Sequence, residues 1–241
     1  MIKIENVTKE YQKGIKAVDN ISLEIKSGEI FGFLGPNGAG KTTTLKMITG
    51  ISSITEGKIS IDGNDIFEND YEAKKVIGFV PDNPDILIRL KGIEYLHFIA
   101  KMYGVDENEE QEKIKELALK FNMQDALNDK IQTYSHGMRQ KIILIGTLLH
   151  NPTNLILDEP LTGLDPKASF ELKEMMREYA KKGNTVLFST HVLEVAEKLC
   201  DRVGIISKGK LLFVGTLKEL KKLTKEDESL ESIFLEMTNH E

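Results

Sequence analysis

The first third of the chain alternates apolar and polar residues, a pattern typical of half-buried strands. IKIENV (2–7) and ISLEI (21–25) follow this period of two, as the strands of an antiparallel sheet do. EIFGFLG (29–35) is instead a short continuous apolar run, which indicates a buried central strand. KISIDG (58–63) and VIGFV (76–80) add two more strands. We therefore expect the chain to begin as a sheet.

The middle of the chain changes to a helical period. Apolar residues recur three to four positions apart in IEYLHFIAKMYG, EEQEKIKELALKFNM and HGMRQKIILIGTLLH. This spacing predicts a helical subdomain inserted between strands, over about 84–150. The acidic run DENEEQE (106–112) is interpreted as a solvated helix start, favoured by the helix dipole.

Strands and helices alternate again after the insert. NLILD, TVLFST, VGIIS and KLLFV read as strands, and helices are expected near 167–181 and 192–200. Such alternation favours a mainly parallel sheet. We accordingly divide the chain into a core of 1–83 and 151–215, the insert of 84–150 and a charged helical tail of 216–241.

Composition narrows the class of protein. The chain has 241 residues, 40% of them hydrophobic, and a net charge of -6. The acidic balance argues against non-specific binding of nucleic acid, and no nucleic-acid partner is expected. The apolar runs are far shorter than the ~20 residues that a membrane span needs. A single cysteine fits a reducing cytoplasm, which is the expected location.

The segment GPNGAGKT follows the predicted central strand and fits the pattern G-x-x-x-x-G-K-[ST]. Its glycines would let backbone N–H groups curl around phosphates, while Lys41 would place a charge on the β- and γ-oxygens. The hydroxyl of Thr42 would bind Mg²⁺. The alternative, a glycine-rich turn with a stray lysine, does not explain the strand before it and the helix after it. The predicted ATP-binding residues here are Gly35, Pro36, Asn37, Gly38, Ala39, Gly40, Lys41, Thr42 and Thr43.

Two carboxylates end a predicted buried strand in NLILDEP. Asp158 would hold Mg²⁺ through water, and Glu159 would act as general base on the attacking water. Acidic residues often simply begin a turn, but phosphoryl transfer needs a phosphate loop and such acids together. His191 follows another predicted strand and is expected at the same sheet edge, near the γ-phosphate or the water. A structural role for this lone histidine is the alternative.

The order and spacing of these motifs resemble the nucleotide-binding subunit of ATP-binding cassette (ABC) transporters over nearly the whole chain. GPNGAGKTT is similar to the Walker A motif and LILDE to Walker B. Tyr11 resembles the aromatic residue that stacks on adenine, and His191 the switch histidine. TGLD (162–165) resembles the D-loop, whose Asp165 would reach a partner chain.

YSHGM (134–138) resembles the signature motif of this family. The resemblance implies that two cassettes pair head to tail, so that Ser135 and the backbone of Gly137 contact the γ-phosphate held by the partner. His136 stands where the family has glycine, and Met138 where it has glutamine. Read without the family, the same segment is an ordinary helix cap by Ser135.

A second departure concerns the Q-loop. Asp82, in VPDNPD, stands where the family usually has glutamine. A carboxylate is a harder ligand for Mg²⁺ than an amide, but it is one carbon shorter and cannot donate a hydrogen bond. Asp82 is expected to sense the metal either directly or through water, and the choice between these stays open.

The resemblance implies an α/β fold with a P-loop, RecA-like core, an antiparallel β part and an inserted helical subdomain. It also implies hydrolysis of ATP with Mg²⁺, a second cassette chain (a homodimer is expected) and a separate membrane permease that holds the subunit at the inner face of the membrane. The tail segment SLESIFLEMT resembles cassettes of multidrug, antibiotic-resistance and polysaccharide-type exporters. Two alternatives are a cassette ATPase acting on ribosomes or DNA and a non-enzymatic ATP-binding regulator.

Overall fold

The structure is a computed structural model, and it describes residues 1–12, 14–83 and 87–222 together with Phe234 and Met237. The strands are β1 (Ile2–Gln12), β2 (Ile15–Ile25), β3 (Ile30–Leu34), β4 (Glu56–Ile61), β5 (Asn64–Asp65), β6 (Ile77–Val80), β7 (Asn154–Leu157), β8 (Thr185–Thr190), β9 (Arg202–Ser207) and β10 (Lys210–Gly215). The helices are α1 (Lys41–Ile48), α2 (Asp70–Lys75), α3 (Gly92–Met102), α4 (Glu107–Lys120), α5 (His136–Leu148), α6 (Pro166–Lys181), α7 (Leu193–Leu199) and α8 (Leu217–Lys222).

Two sheets form the core. The larger sheet has the strand order β10-β9-β3-β8-β7-β6, and its strands are parallel except for the β9–β10 pair. The smaller sheet is antiparallel and has the order β2-β1-β4-β5. This arrangement confirms the predicted α/β class with an antiparallel β part.

Strand β7 shows how the larger sheet is buried on both faces. Ile156 belongs to the apolar cluster that the antiparallel sheet and α1 also line. Leu155 and Leu157 belong to the cluster on the opposite face, which includes residues of α5 and α6. Because side chains alternate along a strand, a continuous apolar run serves both layers. Since β3, β8 and β7 are parallel neighbours, their carboxyl ends lie at one edge of this buried sheet.

Helices α3, α4 and α5 lie between β6 and β7, as the helical period predicted. The interpretation of 106–112 as a fully solvated helix start is wrong at Glu110, which is only 5% exposed. Glu110 stands four residues before Ile114, within the buried stripe of α4, and its carboxylate contacts Nδ1 of His97 on α3. Because Glu110 stands in a run of charged residues, the sequence did not indicate that its side chain is buried.

The described part of the tail contains α8. SLESIFLEMT lies outside the described residues except for Phe234 and Met237, which pack against the cluster that includes Leu220. Among the described residues, no helix is both long enough and apolar enough to cross a bilayer.

Candidate nucleotide-binding site

The phosphate loop connects β3 to α1 and has little room for side chains. A Cβ at Gly35 would lie 2.4 Å from the carbonyl oxygen of Ile206. Gly40 adopts φ 108°, a left-handed conformation that glycine adopts without strain. It is the N-cap of α1, and no side chain caps the first turn of this helix. The amides at the start of α1 are therefore open to an anion.

The other loop residues surround this helix start. Pro36, Asn37 and Gly38 are exposed, whereas Ala39 is buried. The amide of Ala39 donates to the carbonyl oxygen of Pro36 at 3.2 Å, which keeps the loop tight. Thr42 is exposed and Thr43 half-buried, so the hydroxyl of Thr42 is open to a ligand.

Lys41 is buried beneath the loop, with 6% of its side chain exposed. Its ammonium donates to the carbonyl oxygens of Gly35 at 2.8 Å and Pro36 at 3.2 Å. It also pairs with Glu159, at 3.3 Å between Nζ and Oε1. The loop thus holds its cation next to the predicted general base.

The two acids after β7 are tied to β8 through Ser189. The Ser189 hydroxyl donates to Oδ1 of Asp158 at 2.6 Å and accepts a hydrogen bond from the Glu159 amide at 2.8 Å. Asp158 and Ser189 are almost fully buried. Sequence reasoning missed Ser189, although a serine directly after the apolar run VLF of a buried strand was a detectable signal.

His191 completes a row of three residues. Its Nδ1 lies 3.1 Å from Oε2 of Glu159, while Lys41 holds the other oxygen of that carboxylate. The three residues follow β3, β7 and β8, which are neighbours in the larger sheet. This edge, beyond the carboxyl ends of parallel strands, is where α/β proteins bind ligands.

Glu159 has an unusual backbone. Its φ is 45°, in the left-handed region that non-glycine residues seldom occupy. Such a conformation costs on the order of 1–3 kcal/mol and persists only where neighbours impose it. The conformation of Glu159 therefore depends on its contacts, among them the hydrogen bond that its amide donates to Ser189.

Asp82 follows β6, which is the neighbour of β7 on the side away from β8. Its carboxyl group interacts electrostatically with the two acids that follow β7. Burial, together with the negative charges of Asp158 and Glu159, raises the pKa of Asp82, while the nearby charges of His136 and Lys41 oppose this rise. The structure thus brings Asp82 within electrostatic reach of the site.

The oxygen donors suit Mg²⁺ that is shared with a nucleotide. No group of three or more His, Cys, Asp or Glu side chains in the described ranges forms a cage for a metal by itself. Mg²⁺ in nucleotide sites needs only one or two carboxylates besides the phosphates. Asp158, Thr42 and Asp82 supply hard oxygen atoms of the right kind, so these residues fit the metal.

Tyr11 lies on β1 and is 59% exposed. Lys9 holds its ammonium 5.0 Å from the centre of the ring. The exposed ring is available for stacking against a planar group.

The signature segment begins α5. Ser135 is the N-cap, and its hydroxyl accepts a hydrogen bond from the Met138 amide at 3.3 Å. The His136 ring packs on Gly163, where a Cβ would lie 3.0 Å from its Cδ2. A Cβ on Gly137 would similarly meet Leu164 at 3.5 Å. The start of α5 therefore rests on the D-loop of the same chain.

Asp165 caps a helix as well. Its carboxylate accepts a hydrogen bond from the Ala168 amide at 2.9 Å, and this bond lowers the pKa of Asp165. Within one chain, Ser135 and Asp165 thus act as helix caps, and their contacts with a second chain stay predictions.

Comparisons with known proteins agree with this geometry. The family model described as "ABC transporter" matches residues 18–162. The uncharacterized ABC transporter ATP-binding protein YhcH of Bacillus subtilis is 40% identical over 91% of this chain and 71% of its own length. The linearmycin resistance ATP-binding protein LnrL of the same organism is 38% identical over 91% of this chain and 70% of its own length.

Solved structures extend the likeness to the whole fold. The structure of an ATP-binding subunit of an ABC transporter superimposes with a TM-score of 0.92 and 30% identity, covering 98% of this chain and 99% of that one. The ATP-binding cassette MJ0796, solved as a dimer in a post-hydrolysis state with ADP and Pi, gives a TM-score of 0.81 and 28% identity. That match covers 90% of this chain and 99% of the cassette.

Proposed function

This chain belongs to the ABC transporter family as an ATP-binding, ATP-hydrolysing subunit, and we propose that it couples ATP-driven closure of a cassette dimer to substrate movement through a separate permease. The observation that carries the hydrolytic part of the proposal is the position of Glu159. One carboxylate oxygen pairs with Lys41 and the other with His191, at the ends of three neighbouring strands.

This arrangement assigns a role to each of the three residues. When ATP binds, its β- and γ-phosphates compete with Glu159 for the Lys41 ammonium. Glu159 is then released to accept a proton from the attacking water, and His191 keeps its carboxylate oriented. The open amides at the start of α1 and the Lys41 charge stabilise the negative charge that develops on the phosphate. Asp158, Thr42 and Asp82 would hold Mg²⁺, which would supply positive charge to the phosphates.

The dimer is proposed from the second helix start. Ser135 is exposed at the start of α5, where its hydroxyl and the Gly137 amide are open to a phosphate held by another chain. The solved dimer of the MJ0796 cassette supports a paired assembly in this family. We propose a homodimer, because one chain carries both a phosphate loop and a signature segment.

The permease is proposed to bind a groove between the sheet edge and the helical insert. This groove has a volume of about 390 Å³ and is lined by exposed apolar residues of α3 and its surroundings. Phe98 is 45% exposed and Met102 63% exposed, which is unusual for such large apolar side chains. Both lie on α3, the first helix of the insert.

The subunit would then work at the inner face of the membrane, held there by the permease. We propose export as the direction of transport, supported by the relative LnrL, whose name assigns it to linearmycin resistance.

Affinity capture tests the proposal. A tagged Glu159→Gln chain is added with ATP and Mg²⁺ to detergent-solubilised membranes of the source organism. We expect a polytopic membrane protein in stoichiometric amount. Phe98→Asp should abolish its capture, while Leu119→Asp should not, because Leu119 is a similarly exposed apolar residue on α4 that does not line the groove. Recovery of ribosomal or DNA-bound proteins, without a membrane protein, would refute the transport role.

A further inference from the structure

Gln140 is a buried polar residue on α5 with no assigned role. Only 4% of it is exposed, and neither Oε1 nor Nε2 of its amide has a hydrogen-bond partner among the residues that the structure describes. Buried amide groups are nearly always hydrogen-bonded, because leaving them unpaired in an apolar environment is unfavourable. This residue therefore requires an explanation.

Gln140 lines a small cavity of about 20 Å³. The other walls are mostly apolar and come from β6, the residue after α4, α5 itself, β7, the segment after β7 and α6. A cavity of ~10–15 Å³ accommodates one water molecule, which needs two to four polar partners. The amide of Gln140 supplies one acceptor and a donor pair, so a single water molecule fits both the volume and the chemistry.

The cavity lies directly behind the acidic segment of the site. Leu157 immediately precedes Asp158, Pro160 immediately follows Glu159, and Leu164 immediately precedes Asp165. All three apolar residues line the cavity. The wall of the cavity and the backbone that carries these acids are therefore one continuous stretch of chain.

We propose that Gln140 and one internal water molecule form a positioning element for Glu159 in ATP hydrolysis. The backbone of Glu159 is strained, with φ 45°. The next residue, Pro160, lines the cavity and holds this backbone in place. The water-bound amide fixes the distance between α5 and this segment. A displacement of Pro160 turns the Glu159 carboxylate away from the water that it must activate, and misplacement by ~1 Å lowers a rate by about 100-fold.

The inference rests on the proposed role of Glu159 and is tested with the full-length chain. Gln140→Met keeps the length and apolar volume of the side chain but removes both polar atoms. We expect kcat to fall about tenfold or more and the Kd for ATP to stay within twofold. The Tm should stay equal or rise, since replacing the amide and its water by apolar atoms of similar shape is nearly neutral or stabilising. Leu144→Met places the same residue in the wall of the same cavity and should leave kcat within twofold.

A well-folded Gln140→Met variant with wild-type kcat would overturn the proposal. If this variant loses stability, a high-resolution crystal structure of the wild-type chain decides, because the proposal requires an ordered water molecule on the Gln140 amide and fails without it. Failure here is distinct from failure of the proposed function: the latter shows as wild-type hydrolysis without capture of a membrane protein.

Discussion

Two helix starts in this molecule differ in how their amides are satisfied. Helix α1 begins after Gly40, which has no side chain to offer, so its first amides remain open. Helix α5 begins after Ser135, whose own hydroxyl accepts a hydrogen bond from the Met138 amide. Both starts are phosphate-binding candidates, yet only α1 brings its lysine into contact with a predicted catalytic acid.

The difference indicates a division of labour. The start of α1 forms a site with Lys41 and Glu159 from the same chain. The start of α5 packs instead on Gly163 and Leu164, which follow Glu159 along the chain. We therefore propose that the hydrolytic chemistry is built around α1, while α5 supports it from the D-loop side.

The largest effect is expected where the chemistry is concentrated. Glu159→Gln removes the proposed proton acceptor but keeps the shape of the side chain, so kcat should fall by about 10²–10⁴-fold. ATP binding should be preserved, because the Lys41 ammonium no longer has a competing anion beside it. Steady-state phosphate release and ATP-binding titrations measure the two quantities.

Glu171→Gln is the control: it removes another lysine-paired carboxylate and should leave kcat unchanged. Wild-type turnover by the Glu159 variant would end its assignment as the base.

The second-largest effect is expected from a pair of variants that tests whether the two helix starts of one ATP site come from the same chain or from two chains. Lys41→Ala disables the phosphate loop, and Ser135→Arg blocks the signature segment. Each variant alone should lose at least about 90% of its turnover, since both sites of a symmetric dimer carry the defect. An equimolar mixture should recover about a quarter of wild-type activity, because half of the dimers are mixed and each of these has one intact site.

Phosphate release from the mixture, after the chains have been allowed to exchange, measures this recovery. If both helix starts served the same chain, the mixture would give only the mean of the two variants. Mixing Lys41→Ala with Lys41→Met is the control and should give no recovery under either arrangement.

A smaller effect is expected at Ser189, which supports the acids without reaching a phosphate. Ser189→Ala leaves the buried Asp158 carboxylate without this donor and the Glu159 amide without this acceptor. Loss of a hydrogen bond to a charged group costs about 2 kcal/mol, so the free energy of unfolding should fall by about that amount. We expect kcat to fall about tenfold through misplacement of Glu159. Denaturant unfolding and phosphate release measure the two; Ser189→Thr, which keeps a hydroxyl, should recover part of both. An unchanged stability would show that the hydrogen bonds contribute nothing.

The phosphate loop at the start of α1 could be predicted from the sequence, because the residues that indicate it are adjacent in the chain. A buried strand, a glycine-rich loop and a helix follow one another within 29–49, and each residue type has one physical reason to be there. The strand ends that carry Glu159 and His191 were equally visible, since parallel strands place their carboxyl ends at one edge. The α/β class follows from the same alternation.

The environment of the start of α5 was harder to predict, because its contacts join residues that are far apart in the sequence. The packing of His136 on Gly163 joins positions far apart in sequence through a loop whose path no periodicity encodes. Ser189, Gln140 and Glu110 were missed for a related reason: a single polar residue in an apolar or charged stretch does not reveal its partner. The role of each of these residues depends on its burial, and the identity of a single residue does not reveal whether it is buried.

The smallest expected effect concerns Tyr11, which is remote from the chemistry at either helix start. Its exposed ring offers stacking to a base, and the loss of one such contact is worth ~1 kcal/mol, or about fivefold in affinity. Tyr11→Ala should therefore raise the KM for ATP about fivefold and leave kcat within twofold, whereas Tyr11→Phe should behave as wild type. Because stacking tolerates any base, the KM for GTP should rise by the same factor, and initial rates of phosphate release with both nucleotides provide the measurement. A fall in kcat instead would mean that base binding is coupled to Glu159, and the chemistry would then extend well beyond the start of α1.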